Sequence, residues 1–227
     1  MSQLALPLRL QDHAVFATYL PNGNEPAVAF VEGIAAQSAN AGCWLWGPAA
    51  VGKSHLLQAA CERLGQAAAY LPLGELRDAG PGILEGLDSR AVLCLDDIQQ
   101  VTGDPDWELA LFTLFNAVTD AGGVILAAST ASQRESGIDL PDLQSRLGTL
   151  ATFQLRPLDE VSLAAALKLR ARHRGLKLPD KTAKYLLHRQ RRDMASLYAL
   201  LDRLDAEALV AQRRLTIPFV KSVLGSG

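Results

Sequence analysis

Apolar positions along this chain follow two rhythms. Five short runs, 43–46 (CWLW), 67–71 (AAAYL), 91–95 (AVLCL), 124–128 (VILAA) and 151–155 (ATFQL), read as strands buried on both faces, as in a parallel sheet. Between them the spacing turns helical. The clearest case is 107–119, where Trp107, Leu111, Leu114, Phe115 and Val118 recur on one face and Gly122-Gly123 marks the stop. After Leu158 the strand rhythm ends. A helix over 159–174 closed by Gly175, a second opened by Pro179-Asp180, a third over 193–212 and a short one after Thr216 form a helical tail. The expected architecture is therefore an α/β module with a five-stranded parallel sheet, residues 11–157, followed by a small helical domain, 158–227. Residues 1–10 (MSQLALPLRL) carry four leucines without helical period and read as a leash.

The most informative stretch is CWLWGPAAVGKSH. Gly47-Pro48-Ala49-Ala50-Val51-Gly52-Lys53-Ser54 follows a strand and opens a helix, the context a phosphate-binding loop requires. Glycines allow backbone amides and a helix N-terminus to face an anion. Lys53 adds a positive charge for β- and γ-phosphates, Ser54 a hydroxyl for Mg2+, and His55 continues the helix beside them. Such a loop calls for a carboxylate at the end of another strand, and Asp96 leaves 91–95 in that position, fit to hold Mg2+ through water. Asp97 beside it is the candidate to orient an attacking water. Ser129 and Thr130 end the fourth run with hydroxyls, which sense phosphate in some sites and cap turns in many others. Arg146, just before the last run, stands where a neighbouring subunit could meet it and where a guanidinium could act in trans on a partner's nucleotide.

Composition narrows the classes. The formal charge is −2, so the chain as a whole is not that of a protein that coats polyanions. Cys43, Cys61 and Cys94 are odd in number, lack C-x-x-C spacing and sit in apolar stretches, which reads as buried reduced thiols. The four histidines are scattered, and His55 and His188 are expected to pack or to face solvent. No apolar run approaches the roughly 18 residues of a membrane span, and no signal peptide stands at the start, so a cytoplasmic protein is expected.

In this order, a phosphate loop, an Asp-Asp strand, a hydroxyl-ended strand, Ser145-Arg146 before a strand and a helical lid resemble the AAA+ module. DLQSRLG, LRARHRGLKLP, AQRRLTIPFVKSVL and the N-terminal QLALPL together resemble the Hda family, the DnaA-homologous regulators of replication initiation. That resemblance implies several functional expectations. Gln3, Leu4, Leu6 and Pro7 would dock on the sliding clamp of DNA polymerase III, so that DNA is met indirectly through the clamp. Arg146 would promote hydrolysis of ATP held by the initiator DnaA. Phe16 and Tyr19 fall where DnaA-like modules pack the nucleotide base, unless they are ordinary core aromatics. ADP or ATP with Mg2+ is the implied cofactor, and a homodimer that hides Arg146 is open. One departure concerns the lid, where Met194-Ala195-Ser196-Leu197 occupies the register of a sensor arginine, with Arg191 and Arg192 nearby; slow or absent intrinsic hydrolysis is expected. Two rivals remain. A DNA-binding initiator or helicase loader would use the basic clusters 189–192 and 213–214, which otherwise read as solvated faces. A metabolic P-loop kinase would need an acceptor pocket.

Overall fold

The computed structural model describes residues 14–36, 42–189, 194–211 and 215–225. The leash 1–10, with Gln3, Leu4, Leu6 and Pro7, lies outside the described residues, as do Arg191, Arg192, Arg213 and Arg214. By internal contacts the chain forms two compact units, residues 1–16 with 23–156 and residues 17–22 with 157–227.

The first unit is built on a five-stranded parallel sheet. Its strands are β1 (Cys43–Trp46), β2 (Ala68–Pro72), β3 (Val92–Asp96), β4 (Val124–Ser129) and β5 (Ala151–Gln154), in the order β2-β3-β4-β1-β5. All five lie within a residue or two of the apolar runs. Burial on both faces holds for β3 and β4 throughout. It fails for β5, an edge strand whose Thr152 and Gln154 are exposed, and in part for β2 at the other edge. The run ATFQL contains two polar residues because only one of its faces is covered, a correction to the expectation of burial on both sides.

Helices α1 (Glu25–Ala35), α2 (Lys53–Leu64), α3 (Leu73–Leu76), α4 (Pro105–Asp120) and α5 (Pro141–Leu147) complete the unit. Helix α4 begins where Asp104 accepts hydrogen bonds from the amides of Asp106 and Trp107, with Pro105 at the first helical position. Trp107, Leu111, Leu114, Phe115 and Val118 are buried as their spacing requires, in a cluster with Trp44, Leu93 and Ile125 of the sheet. Each such side chain contributes about 1.5–3 kcal/mol on burial. The helix ends at Asp120, Gly122 turns the chain away from it at φ +79°, and Gly123 cannot carry a side chain because a Cβ there would stand 2.8 Å from the Arg90 carbonyl.

The second unit holds α6 (Glu160–His173), α7 (Asp180–Arg189), α8 (Met194–Ala211) and α9 (Ile217–Gly225). Asp159 caps α6 by accepting from Ser162 N at 2.8 Å. A separate core gathers Leu167, Ala183, Leu186, Leu201, Leu204 and Val220. Arg170 is 2% exposed and lies over the Tyr198 ring, 4.0 Å from its centroid, while Arg174 pairs with Asp202 at 2.6 Å and with Asp205 at 3.7 Å. These arginines tie α6 to α8 through aromatic and ionic contacts within the unit.

Candidate functional site

Sheet order decides what meets what. β1 neighbours β4, and β4 neighbours β3, so the loops leaving their C-terminal ends lie side by side. Gly47 leaves β1 and donates its amide to Ser129 O at the end of β4, 3.3 Å away. Asp96 ends β3. This is the carboxyl end of the strands in an open α/β sheet, where such folds place their ligands.

The loop from Gly47 to Ser54 turns tightly into α2. Gly52 caps the helix in the left-handed conformation, φ +97°, and at Gly47 a Cβ would stand 2.5 Å from the Leu155 carbonyl, so glycine is required there sterically. Ala50 is also left-handed, φ +62°. Lys53 is buried and its Nζ donates to Gly47 O at 2.8 Å and Pro48 O at 2.9 Å. Burial pulls its pKa below the ordinary lysine value, and the carboxylates of Asp97 and Asp96 pull it back up. The ammonium thus already stands inside the loop that it would serve.

Asp96 is 1% exposed. Its Oδ2 accepts from the Tyr70 hydroxyl at 2.7 Å and its Oδ1 from Asp97 N at 3.0 Å. Burial raises its pKa, against hydrogen bonds from Ser54 and Tyr70 that favour the carboxylate. Asp97 is left-handed, φ +55°, and its Oδ1 accepts from Gln99 Nε2 at 2.9 Å. The side-chain oxygen of Gln99, Oε1, in turn accepts from Thr130 N at 3.2 Å. A continuous chain of hydrogen bonds therefore runs from Tyr70 on β2 through both aspartates to the end of β4.

Of the two hydroxyls at that end, Ser129 is fully buried and accepts from Ala131 N at 3.3 Å, a turn-anchoring contact, and Thr130 is exposed. His55 Nε2 lies 3.0 Å from Val15 O, and His188, exposed, lies 3.8 Å from Glu160. Phe16, half-buried in the first unit, has Arg63 over its ring at 5.9 Å, whereas Tyr19 is buried and belongs to the second unit. Ser54 with Asp96 is a hard-oxygen pair of the type Mg2+ takes when phosphates and water fill its other positions. Among the described residues no three His, Cys, Asp or Glu side chains form a self-sufficient metal site.

Arg146 lies on α5, and its guanidinium is exposed without an ion pair among the described residues. Two side chains that sequence reasoning passed over hold this short helix at both ends. Glu108 of α4, 2% exposed, accepts from Gly103 N (2.8 Å), from Asp139 N (3.0 Å to Oε2) and from Leu140 N (2.7 Å). Gln133 donates to Leu147 O and accepts from the Thr152 hydroxyl at 2.8 Å. Glu108 left a signal in the sequence, an acid three residues before Leu111 and seven before Phe115, on the apolar face of α4. Gln133 left none, since its partners lie 14 and 19 residues away.

The comparisons with known proteins agree with this geometry. Residues 159–224 match the family model described as Hda, lid domain. Domain III of the Thermotoga maritima replication initiation protein DnaA superposes with a TM-score of 0.77 at 19% identity, covering 96% of this chain and 98% of that one. AMPPCP-bound DnaA from Aquifex aeolicus gives 0.64 at 20% identity over 85% of this chain and 65% of that one. A RuvB structure from Thermotoga maritima gives 0.65 at 16% identity over 93% of this chain and 73% of that one. The chain thus has the fold of DnaA domain III across its length, and its last segment, residues 159–224, matches the Hda lid-domain family.

Proposed function

We propose that this protein is a negative regulator of replication initiation that binds ADP or ATP and stimulates the hydrolysis of ATP held by a DnaA initiator. The observation that carries the reading is Arg146, a solvent-exposed guanidinium on a helix fixed at both ends by buried polar side chains. An arginine used within its own chain would be paired or folded inward; one offered to a partner must be exposed and already positioned. In this reading Gly47 to Ser54 hold the nucleotide phosphates, Lys53 balances their charge, and Ser54 and Asp96 hold Mg2+. Bound Mg2+ would supply charge neutralisation at the phosphates. Asp97 would orient a water, and Phe16 would pack the base. The register Met194-Ala195-Ser196-Leu197 carries no arginine of its own, with Arg191 and Arg192 just before it in the sequence, and slow intrinsic turnover is part of the same reading. Residues Gln3, Leu4, Leu6 and Pro7 would tether the protein to the DNA polymerase III sliding clamp and, through it, to DNA. One such peptide contact would be weak, and two leashes engaged on one ring-shaped clamp would gain from effective concentration.

The test is Arg146→Ala in an assay of initiator-bound ATP hydrolysis with DNA-loaded clamp. Nucleotide affinity and thermal stability are expected to match wild type while stimulation falls on the order of 10³-fold. Full stimulation by the variant would end this reading.

A further inference from the structure

The formal charge of −2 conceals two opposite halves. The second unit holds 14 lysines and arginines against 7 aspartates and glutamates, net +7; the first holds 8 against 17, net −9. Polyanion binding, set aside on the whole-chain charge, must therefore be judged unit by unit.

Within the second unit the acids are largely engaged. Asp180 pairs with Lys168, Asp202 and Asp205 with Arg174, Asp159 caps α6, and Glu160 lies 3.8 Å from His188. The basic side chains are not equally committed. Lys177, Lys181, Lys184 and Arg189 are exposed and make no ion pair among the described residues. Their intervals of four, three and five residues keep Lys181 and Lys184 on adjoining turns of one α7 face, with Lys177 just before the helix and Arg189 at its end. Lys221 of α9 joins the same side, exposed, its Nζ 5.8 Å from the centre of the Tyr185 ring on α7.

We infer that this face, Lys177, Lys181, Lys184, Arg189 and Lys221, contacts the phosphate backbone of duplex DNA. Charge complementarity sets the ligand class, and the absence of an apolar centre among the described residues selects within it. A protein interface needs a desolvated apolar core, and a membrane-lying helix needs an apolar face. The one large exposed apolar side chain described in this unit is Val161, at the start of α6. What remains is a set of flexible cations on two helices and a loop, the arrangement that binds regularly spaced phosphates without reading sequence. The contact is additional to any encounter with DNA through the clamp and does not depend on it.

Fluorescence anisotropy of a mixed-sequence duplex of about 30 base pairs, titrated with the full chain at about 50–200 mM salt, tests the inference. Wild type is expected to bind with a slope of log K against log salt of about −3 to −5, and Lys181→Glu with Lys184→Glu to bind at least about tenfold more weakly with a slope shallower by about 2. A second variant on separate elements, Lys177→Glu with Lys221→Glu, is expected to behave alike, with circular dichroism unchanged in both. No binding by wild type at the lowest salt overturns the inference, as does equal binding by folded variants. It is also overturned if the charge reversals abolish a salt-sensitive self-association in sedimentation, or adhesion to anionic vesicles, while DNA binding is unaffected.

Discussion

Tyr70 shows how a residue outside the motifs governs one inside them. Its hydroxyl donates to the buried Oδ2 of Asp96, and hydrogen bonds to a charged acceptor are worth about 1.5–3 kcal/mol. Tyr70→Phe is expected to lower the affinity for a fluorescent ADP analogue in Mg2+ by about tenfold and to leave the affinity in EDTA within about twofold; equal losses in both would mark the tyrosine as merely structural. Cys43 and Cys94 give a second residue-scale expectation. Burial pushes the Cys43 thiol up to about 12, and a hydrogen bond with Cys61 together with burial raises Cys94. Only a thiolate reacts, so both should resist a thiol reagent at about pH 8 in the native state and react on unfolding. The glycines, Lys53, Ser54 and the aspartate pair were legible in the sequence because their chemistry is local: spacing alone puts them on one turn. Tyr70 was not, because an aromatic in an apolar strand reads as core until the neighbouring strand shows what its hydroxyl meets.

At the scale of elements, α5 is the instructive case. Seven residues do not make a stable helix in isolation, and this one is fixed from outside. Glu108→Ala removes the shared acceptor of the Gly103, Asp139 and Leu140 amides and is expected to cost about 3 kcal/mol or more in urea unfolding, with Glu108→Gln recovering only part. A variant as stable as wild type would show that water satisfies those amides equally well. The helices α4, α6 and α7 were readable, α4 from its apolar period and the Gly122-Gly123 stop, α6 and α7 from Asp159 and Pro179-Asp180, while the Asp104 cap of α4 emerged only in the structure. The course of β5 was readable but its burial was not, because edge position belongs to strand order and no run of five residues encodes it.

For the whole molecule, the separation of charge into −9 and +7 has a chromatographic signature. At pH 7 and low ionic strength the protein should be retained by both a cation and an anion exchanger, and reversal of Lys181 and Lys184 should weaken only its retention on the former; failure to bind the cation exchanger would mean that the two halves screen each other in solution. This asymmetry was present in the sequence, whose boundary near residue 157 was already legible, and it vanished only because the charges were summed over the whole chain. The open sheet poses a different problem at the same scale. Among the described residues no strand pairs with the outer side of β2 or β5, and such open edges are the ordinary route by which sheets grow from one molecule into the next. β5 is only four residues long, with Thr152 and Gln154 on its exposed face, and β2 ends in Pro72, which has no amide to donate. Shortness at one edge and a proline at the other thus limit how far a second chain could extend this sheet, whose growth the fold has to stop at five strands.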